Sequence, residues 1–364
     1  MQLVDWGVAT ATATRLVPPG PRLPLDEAIA TVENLRALAV DADRHVRAYT
    51  RLDPPGDSPP VTVVDRPGWI TSNVDGFRTL LDPLLESLAA KRKVTLGPVV
   101  GAVGPRATGA EVGALLAYLA TRVLGQFELL GPAPDESGGG GRLTLVAPNI
   151  VATEKALAVE PHDFRLWVCL HEVTHRTQFA AAPWLHTHVR ELLRSYLTAS
   201  DLDAAALLSR LRGALGSFGD VVRGRSDLSF IEMVQTPEQR AVLDRVTGLM
   251  SLLEGHADVV MDGVGTDVVP SVATIRDRFE TRRRSSNPLE RMLRRLFGIE
   301  MKMKQYAEGA RFVRAVVESV GMDGLNRVWA GPDRLPEAAE IRDPGRWIVR
   351  TAGDSGPAAA ISSA

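Results

Sequence analysis

The sequence predicts a mainly α-helical protein with a minor β element. Apolar residues recur at helical spacing through most of the 364-residue chain. Only residues 143–147 (LTLVA) have the continuous apolar character of a buried strand, and Pro148 and Asn149 stop that run. No segment repeats at the spacing of a solenoid, so the pattern favours a globular helical fold.

Three helices are predicted before this strand. The first covers residues 26–49, where Ile29, Val32 and Leu35 share one face and a proline-rich segment precedes them. The other two cover residues 73–91 and 109–130. A short apolar run at 61–64 is either a strand or an extended connection, and the glycine-rich segment 135–141 (DESGGGG) is expected to be a surface loop.

Six helices are predicted after the strand, at 163–181, 186–199, 202–217, 237–262, 287–301 and 302–320. No segment has the composition of an interdomain linker. We therefore expect residues 1–352 to form one unit, with two lobes at about 1–150 and 151–352 as the alternative. The small, polar residues 353–364 are expected to be a disordered tail.

Composition excludes several functional classes. The chain is 45% hydrophobic and 24% charged, with a net charge of −2, which is typical of a globular protein and gives no general attraction to nucleic acid. It lacks an apolar run long enough to span a membrane, and its first residues do not resemble a signal peptide. A single cysteine, Cys169, excludes an internal disulfide framework. We expect a cytoplasmic protein.

The chemically informative segment is His171-Glu172-Val173-Thr174-His175, an HExxH motif within the predicted helix 163–181. A helix turns about 100° per residue, so His171 and His175 lie about 40° apart and one turn along. Their imidazoles can bind the same Zn²⁺ ion. Glu172 is not placed to be a third ligand, but it can take a proton from a water molecule that zinc activates. Asp163 is a candidate N-cap for this helix.

A catalytic zinc site needs a third protein ligand. The metzincin continuation requires histidine at position 181, where this chain has alanine. The alternative is a carboxylate on a second helix. Glu254 and Asp258 are four residues apart and share one helix face, a spacing that suits a ligand followed by a carboxylate that orients a liganding histidine. We predict Glu254 as the ligand and Asp258 behind it, although 79 positions separate His175 from Glu254.

Other side chains compete for the third position. Glu191 is closer in sequence, but it lies in a charged segment that is typical of a solvated helix face. His186 and His188 are two residues apart and diverge on a helix, and His256 points away from Glu254. These residues are expected to be core or surface residues rather than ligands.

The chain resembles a zincin-like family of mostly actinobacterial proteins that are described as zinc metalloproteases or hydrolases. One branch is associated with the biosynthesis of a deazaflavin coenzyme. The segments that carry the resemblance are HEVTH, Val4–Trp6, Ala147–Ile150, Asp163–Trp167, Glu254–His256 and Lys304–Gly309. The resemblance implies a mostly helical, zincin-like metallohydrolase fold, and it does not identify a substrate.

Two further features have alternative interpretations. Tyr306, in a segment that carries the resemblance, is a candidate for stabilising an oxyanion, or it is a half-buried helix residue. The segment 276–304 has ten basic and four acidic residues, so it is either a phosphate, nucleic-acid or acidic-substrate site or a solvated helical hairpin. The near absence of aromatic residues there favours the hairpin. Cys169 is expected to be a buried core thiol.

These observations predict a zinc-dependent, gluzincin-like hydrolase of peptide or amide bonds, with no nucleic-acid or membrane partner. The alternative is a non-catalytic protein: a helical binding or scaffold protein, with a structural zinc or without one. A zinc hydrolase of a small metabolite amide is a third possibility that the sequence does not separate from a peptidase. The oligomeric state is left open.

Overall fold

The computed structural model describes residues 4–54, 61–92, 98–128, 141–198, 237–284 and 299–352. Their contacts divide the chain into two compact units. The first unit consists of Met1–Tyr49, Asp53–Arg190 and Val260–Ser286, and the second of Thr50–Leu52, Glu191–Val259 and Asn287–Ala364. The expected helix 202–217 and the expected tail 353–364 lie outside the described residues.

The fold is mostly helical with one small sheet, which confirms the predicted fold class. In chain order the elements before the HExxH segment are α1 (Trp6–Leu16), α2 (Leu25–Thr50), β1 (Thr62–Val64), α3 (Arg66–Arg92), α4 (Pro98–Leu119), β2 (Gly125–Phe127), β3 (Leu143–Val146) and α5 (Ala147–Leu157). Then follow α6 (Pro161–Ala181), α7 (Trp184–Thr198), α8 (Pro237–Gly263), α9 (Val272–Arg284), α10 (Ile299–Leu325), α11 (Ala338–Arg342) and α12 (Pro344–Ala352).

The sheet of the first unit has the order β1-β3-β2, with β3 in the centre. Strand β3 pairs in parallel with β1 and antiparallel with β2. All four residues of β3 are buried, because helices cover both of its faces. Leu143 and Leu145 join a core cluster with α2, α5 and α6, whereas Val146 joins a second cluster with α1, α3 and α4. This alternation explains why the strand has no polar face in the sequence.

Several elements differ from the predictions. The predicted helix 109–130 ends at Leu119, and residues 125–127 instead pair with β3 as a strand. Strand β3 does end just before Pro148, as predicted, but Pro148 lies in the first turn of α5, where a missing N–H costs nothing. Helix α1 was not predicted, although Asp5 caps it by accepting a hydrogen bond from the Val8 amide at 3.0 Å.

Candidate functional site

Helix α6 carries the HExxH motif and begins earlier than the sequence predicted. Pro161 is in its first turn, and Glu160, not Asp163, is the N-cap, accepting a hydrogen bond from the Asp163 amide at 2.8 Å. Asp163 instead accepts a hydrogen bond from the Ser271 amide at 2.8 Å. Burial acts to raise the pKa of Asp163, but the hydrogen bonds from Ser271 and His162 outweigh it, and the pKa lies below its usual range.

Helix α6 is enclosed in the core of the first unit for most of its length. Its buried apolar residues are Phe164, Leu166, Val168, Cys169, Leu170, Val173 and Phe179. Buried Thr174 and Thr177 donate their hydroxyls to carbonyls one turn earlier on the same helix. Packing on several sides therefore fixes the helix that carries His171, Glu172 and His175.

The two histidines of the motif face each other on α6. Their Nε2 atoms are 3.2 Å apart, and the two rings are nearly perpendicular, with centroids 4.7 Å apart and an interplanar angle of 89°. Both side chains are half-buried. Two nitrogens bound to one tetrahedral zinc, each at about 2.0–2.1 Å, lie roughly 3.3 Å apart. The donor atoms of His171 and His175 thus fit a single zinc ion.

Gln178 lies against the far side of the His175 ring. Its Oε1 is 3.0 Å from Nδ1 of His175, and the Gln178 side chain is completely buried. Gln178 was not among the predicted site residues. The spacing of three residues from His175 was a usable signal, because residues i and i+3 are neighbours on a helix.

The Glu172 side chain is buried beneath strand β2, 7% exposed. A Cβ atom at Gly125 would lie 2.8 Å from both Cγ and Cδ of Glu172. Glycine is therefore the residue that lets the strand approach this carboxylate. No local pattern pointed to Gly125, because its partner is 47 positions away in the sequence.

Cys169 is a fully buried thiol in the same core cluster, as expected. Burial raises the pKa of Cys169 far above its usual range, and the charge of nearby Glu172 acts in the same direction. A thiol in this state is not a nucleophile near neutral pH.

Glu254 and Asp258 lie on helix α8, and both side chains are half-buried. In the second unit, α8 crosses α10 with its backbone in direct contact. A Cβ atom at Gly255 would overlap the backbone of Gly309, and one at Gly309 would overlap the carbonyl oxygen of Ser251. Asp258 accepts a hydrogen bond from Arg314 at 3.1 Å. These contacts fix the helix segment on which Glu254 is found.

The C-terminal end of α8 belongs to the first unit. Val260 and Met261 are buried in the core cluster that also contains Cys169, Leu170 and Val173 of α6. Tyr306 is on α10, three residues before Gly309, and its side chain is outside the part of the chain that the structure describes.

The alternative candidates for the third zinc ligand contact other residues or are exposed. His186 is buried among Phe127 and Phe179, with ring centroids 5.6 Å and 5.0 Å away. His256 is buried against Trp329 at 5.3 Å, and Glu191 is exposed. A second cluster of side chains with possible metal ligands consists of Glu160, His162 and Asp163. Glu160 and His162 are exposed, and Asp163 accepts a hydrogen bond from the Ser271 amide.

Two arginines of the basic segment have structural partners. Arg276 forms an ion pair with Asp262 at 2.8 Å. Arg278 donates to the carbonyls of Leu157 and Ala158 at the C-terminus of α5, where a positive charge is favourable. Residues 285–298 of this segment are not described.

The chain is similar to a known family of proteins and to a solved structure. A profile of the zincin-like metallopeptidase family matches residues 4–348. A protein from Chloroflexus aurantiacus, whose crystal structure is described as that of a proposed hydrolase with a novel fold, is 33% identical. The alignment covers 96% of this chain and 99% of that chain, with a TM-score of 0.67. No protein with a curated description matches the sequence. Among the described residues, no helix is long and apolar enough to cross a lipid bilayer.

Proposed function

Because this chain belongs to the zincin-like metallopeptidase family, we propose that it is a zinc-dependent hydrolase that cleaves peptide or amide bonds. His171, His175 and Glu254 bind the zinc ion, and Glu172 is the general base. The observation that carries the proposal is the pair of imidazole Nε2 atoms 3.2 Å apart on one helix, with a buried carboxylate at the adjacent residue.

Glu254 is the third ligand in this proposal. It is six residues before Val260, which packs in the same core cluster as the HExxH helix. Asp258 follows Glu254 four residues later, the spacing expected of a ligand with a carboxylate behind it. Together with His171 and His175, Glu254 would complete a set of three protein ligands. Two imidazoles and a carboxylate are a donor set found at catalytic zinc.

Two residues have supporting roles in the proposal. Asp258 helps to orient a liganding histidine, as a carboxylate behind a metal site commonly does. Tyr306 stabilises the oxyanion. Its position, one helical turn from the contact between Gly309 and α8, supports this role, since Glu254 is adjacent to Gly255 at the same contact.

In the proposed reaction, the metal ligands, Glu172 and strand β2 have separate roles. A zinc ion held by these residues would polarise the scissile carbonyl and make a water molecule a stronger acid. Glu172 accepts a proton from that water and delivers it to the leaving nitrogen. Strand β2 covers Glu172 and keeps bulk solvent from the carboxylate, which strengthens its electrostatic interactions.

Replacing Gly125 by alanine is expected to lower kcat/KM by roughly 10- to 100-fold, because the new methyl group displaces the Glu172 carboxylate by a fraction of an ångström to about 1 Å. Steady-state kinetics on any peptide that the wild type cleaves measures the effect. Gly104→Ala is the control, since a Cβ atom at Gly104 has no neighbour within 4 Å. Wild-type kinetics for Gly125→Ala would contradict the role given to this contact.

The zinc site is tested by the metal content of purified protein. We expect about one zinc per chain in the wild type and a large loss in His171→Ala, measured by inductively coupled plasma mass spectrometry. His188→Ala is the control, because His188 packs edge-on against Trp184 on another helix, with the ring centroids 5.8 Å apart. No zinc in the wild type, or equal zinc in His171→Ala, would reject the zinc site.

Turnover is tested with a diverse peptide library analysed by mass spectrometry. Zinc-dependent cleavage supports a peptidase. If zinc is bound and no peptide is cleaved, a library of small amides distinguishes a metabolite amidase from a scaffold protein. The cytoplasmic location and the association with deazaflavin coenzyme biosynthesis stay predictions.

A further inference from the structure

We infer that Gln178 is a positioning residue that holds His175 in the tautomer required for metal binding. This inference rests on the proposed function. It goes beyond that proposal by assigning a role to a side chain outside the ligand set and the general base.

The contact between Gln178 and His175 determines where the imidazole proton is. An amide oxygen can only accept a hydrogen bond, so Oε1 at 3.0 Å requires a proton on Nδ1 of His175. With the proton on Nδ1, the lone pair is on Nε2, the atom that faces Nε2 of His171. The amide thus selects the form of His175 that can bind a cation through Nε2.

The burial of Gln178 supports a specific role rather than an incidental contact. The side chain is 0% exposed, and burying an amide costs free energy unless hydrogen bonds compensate for it. A buried side chain has little rotational freedom, so the Oε1 atom keeps the imidazole plane fixed.

Gln178 is uncharged, so it adds no negative charge to the helix that carries Glu172. Glu172 is buried on the same helix, and a second carboxylate within this low-dielectric environment would repel it. Glutamine provides the acceptor oxygen without adding that charge.

The test measures the affinity of the full-length, metal-free protein for Zn²⁺ by competition with a fluorescent chelator. Gln178→Met keeps the length of the side chain and removes the acceptor, and we expect it to raise the Kd for Zn²⁺ by about 10- to 100-fold. Gln178→Glu restores an acceptor oxygen and should recover part of the affinity that Gln178→Met loses, because the added negative charge opposes full recovery. Thr177→Val is the matched control, because Thr177 is buried next to Gln178 but donates to the Val173 carbonyl.

The melting temperatures of the metal-free variants separate positioning from general stability. A higher Kd in Gln178→Met, partly restored in Gln178→Glu and unchanged in Thr177→Val, supports the inference. If Gln178→Met binds Zn²⁺ as tightly as the wild type, or if Thr177→Val weakens binding equally, the inference is rejected while the zinc site stands. A wild-type protein that does not bind Zn²⁺ rejects both.

Discussion

Glu172→Gln is expected to lower kcat/KM by about 10²- to 10⁴-fold while leaving the zinc content unchanged. Glutamine has almost the shape of glutamate, so it can occupy the same space beneath Gly125. Its amide cannot accept the proton of the attacking water. The loss corresponds to about 2.7–5.4 kcal/mol of transition-state stabilisation. The measurement compares steady-state kinetics and zinc content for the two proteins on one cleaved peptide.

Glu191→Gln is the matched control for this experiment. Glu191 undergoes the same chemical change but is exposed on α7, and it was the competing candidate for the third ligand. We expect wild-type kinetics and zinc content from it. Equal activity of Glu172→Gln and the wild type, at full zinc occupancy, would remove Glu172 from the mechanism. Loss of zinc in Glu191→Gln would instead transfer the ligand role to that residue.

Gly309→Ala is expected to lower the free energy of unfolding by about 2–4 kcal/mol, at the upper end of the range for overpacked cores. The added Cβ atom would overlap the carbonyl oxygen of Ser251 and lie 2.6 Å from its carbonyl carbon. These are backbone atoms within a helix and cannot rotate away, so α10 must move from α8. Chemical denaturation of the metal-free protein measures the change.

Gly248→Ala, on helix α8, is the control for Gly309→Ala on helix α10. A Cβ atom there would meet Pro336 at 3.8 Å and Ile341 at 3.9 Å, which are ordinary contact distances. Alanine is the better helix former, and we expect a gain of about 0.5–1 kcal/mol in stability. Similar losses in both variants would mean that loss of glycine, rather than the helix contact, accounts for the effect.

The part of the fold that could be predicted from sequence is the part that local spacing determines. Helix α2 was expected at 26–49 and covers 25–50, and α8 was expected at 237–262 and covers 237–263. Strand β2 could not be predicted, because its three residues are a strand only through pairing with β3. Pairing between segments overrides local propensity in such short strands.

The same distinction applies to the candidate site. The convergence of His171 and His175 follows from helix geometry alone, and the Nε2 distance agrees with it. Gln178 could have been identified by the same reasoning. Gly125 could not, because the need for glycine arises from the approach of a distant strand to Glu172. Glu254 stays a prediction until its metal-binding role is measured.

The buried thiol of Cys169 gives the protein an internal reporter of local opening. It is the only cysteine of the chain, and it lies in the core two residues before His171. A thiol reagent can modify it only when the packing around α6 opens, so the labelling rate reports the population of that open state. A ligand that binds only the closed form lowers this population. Labelling kinetics with and without Zn²⁺ would therefore reveal binding at the neighbouring histidines without any substrate being known.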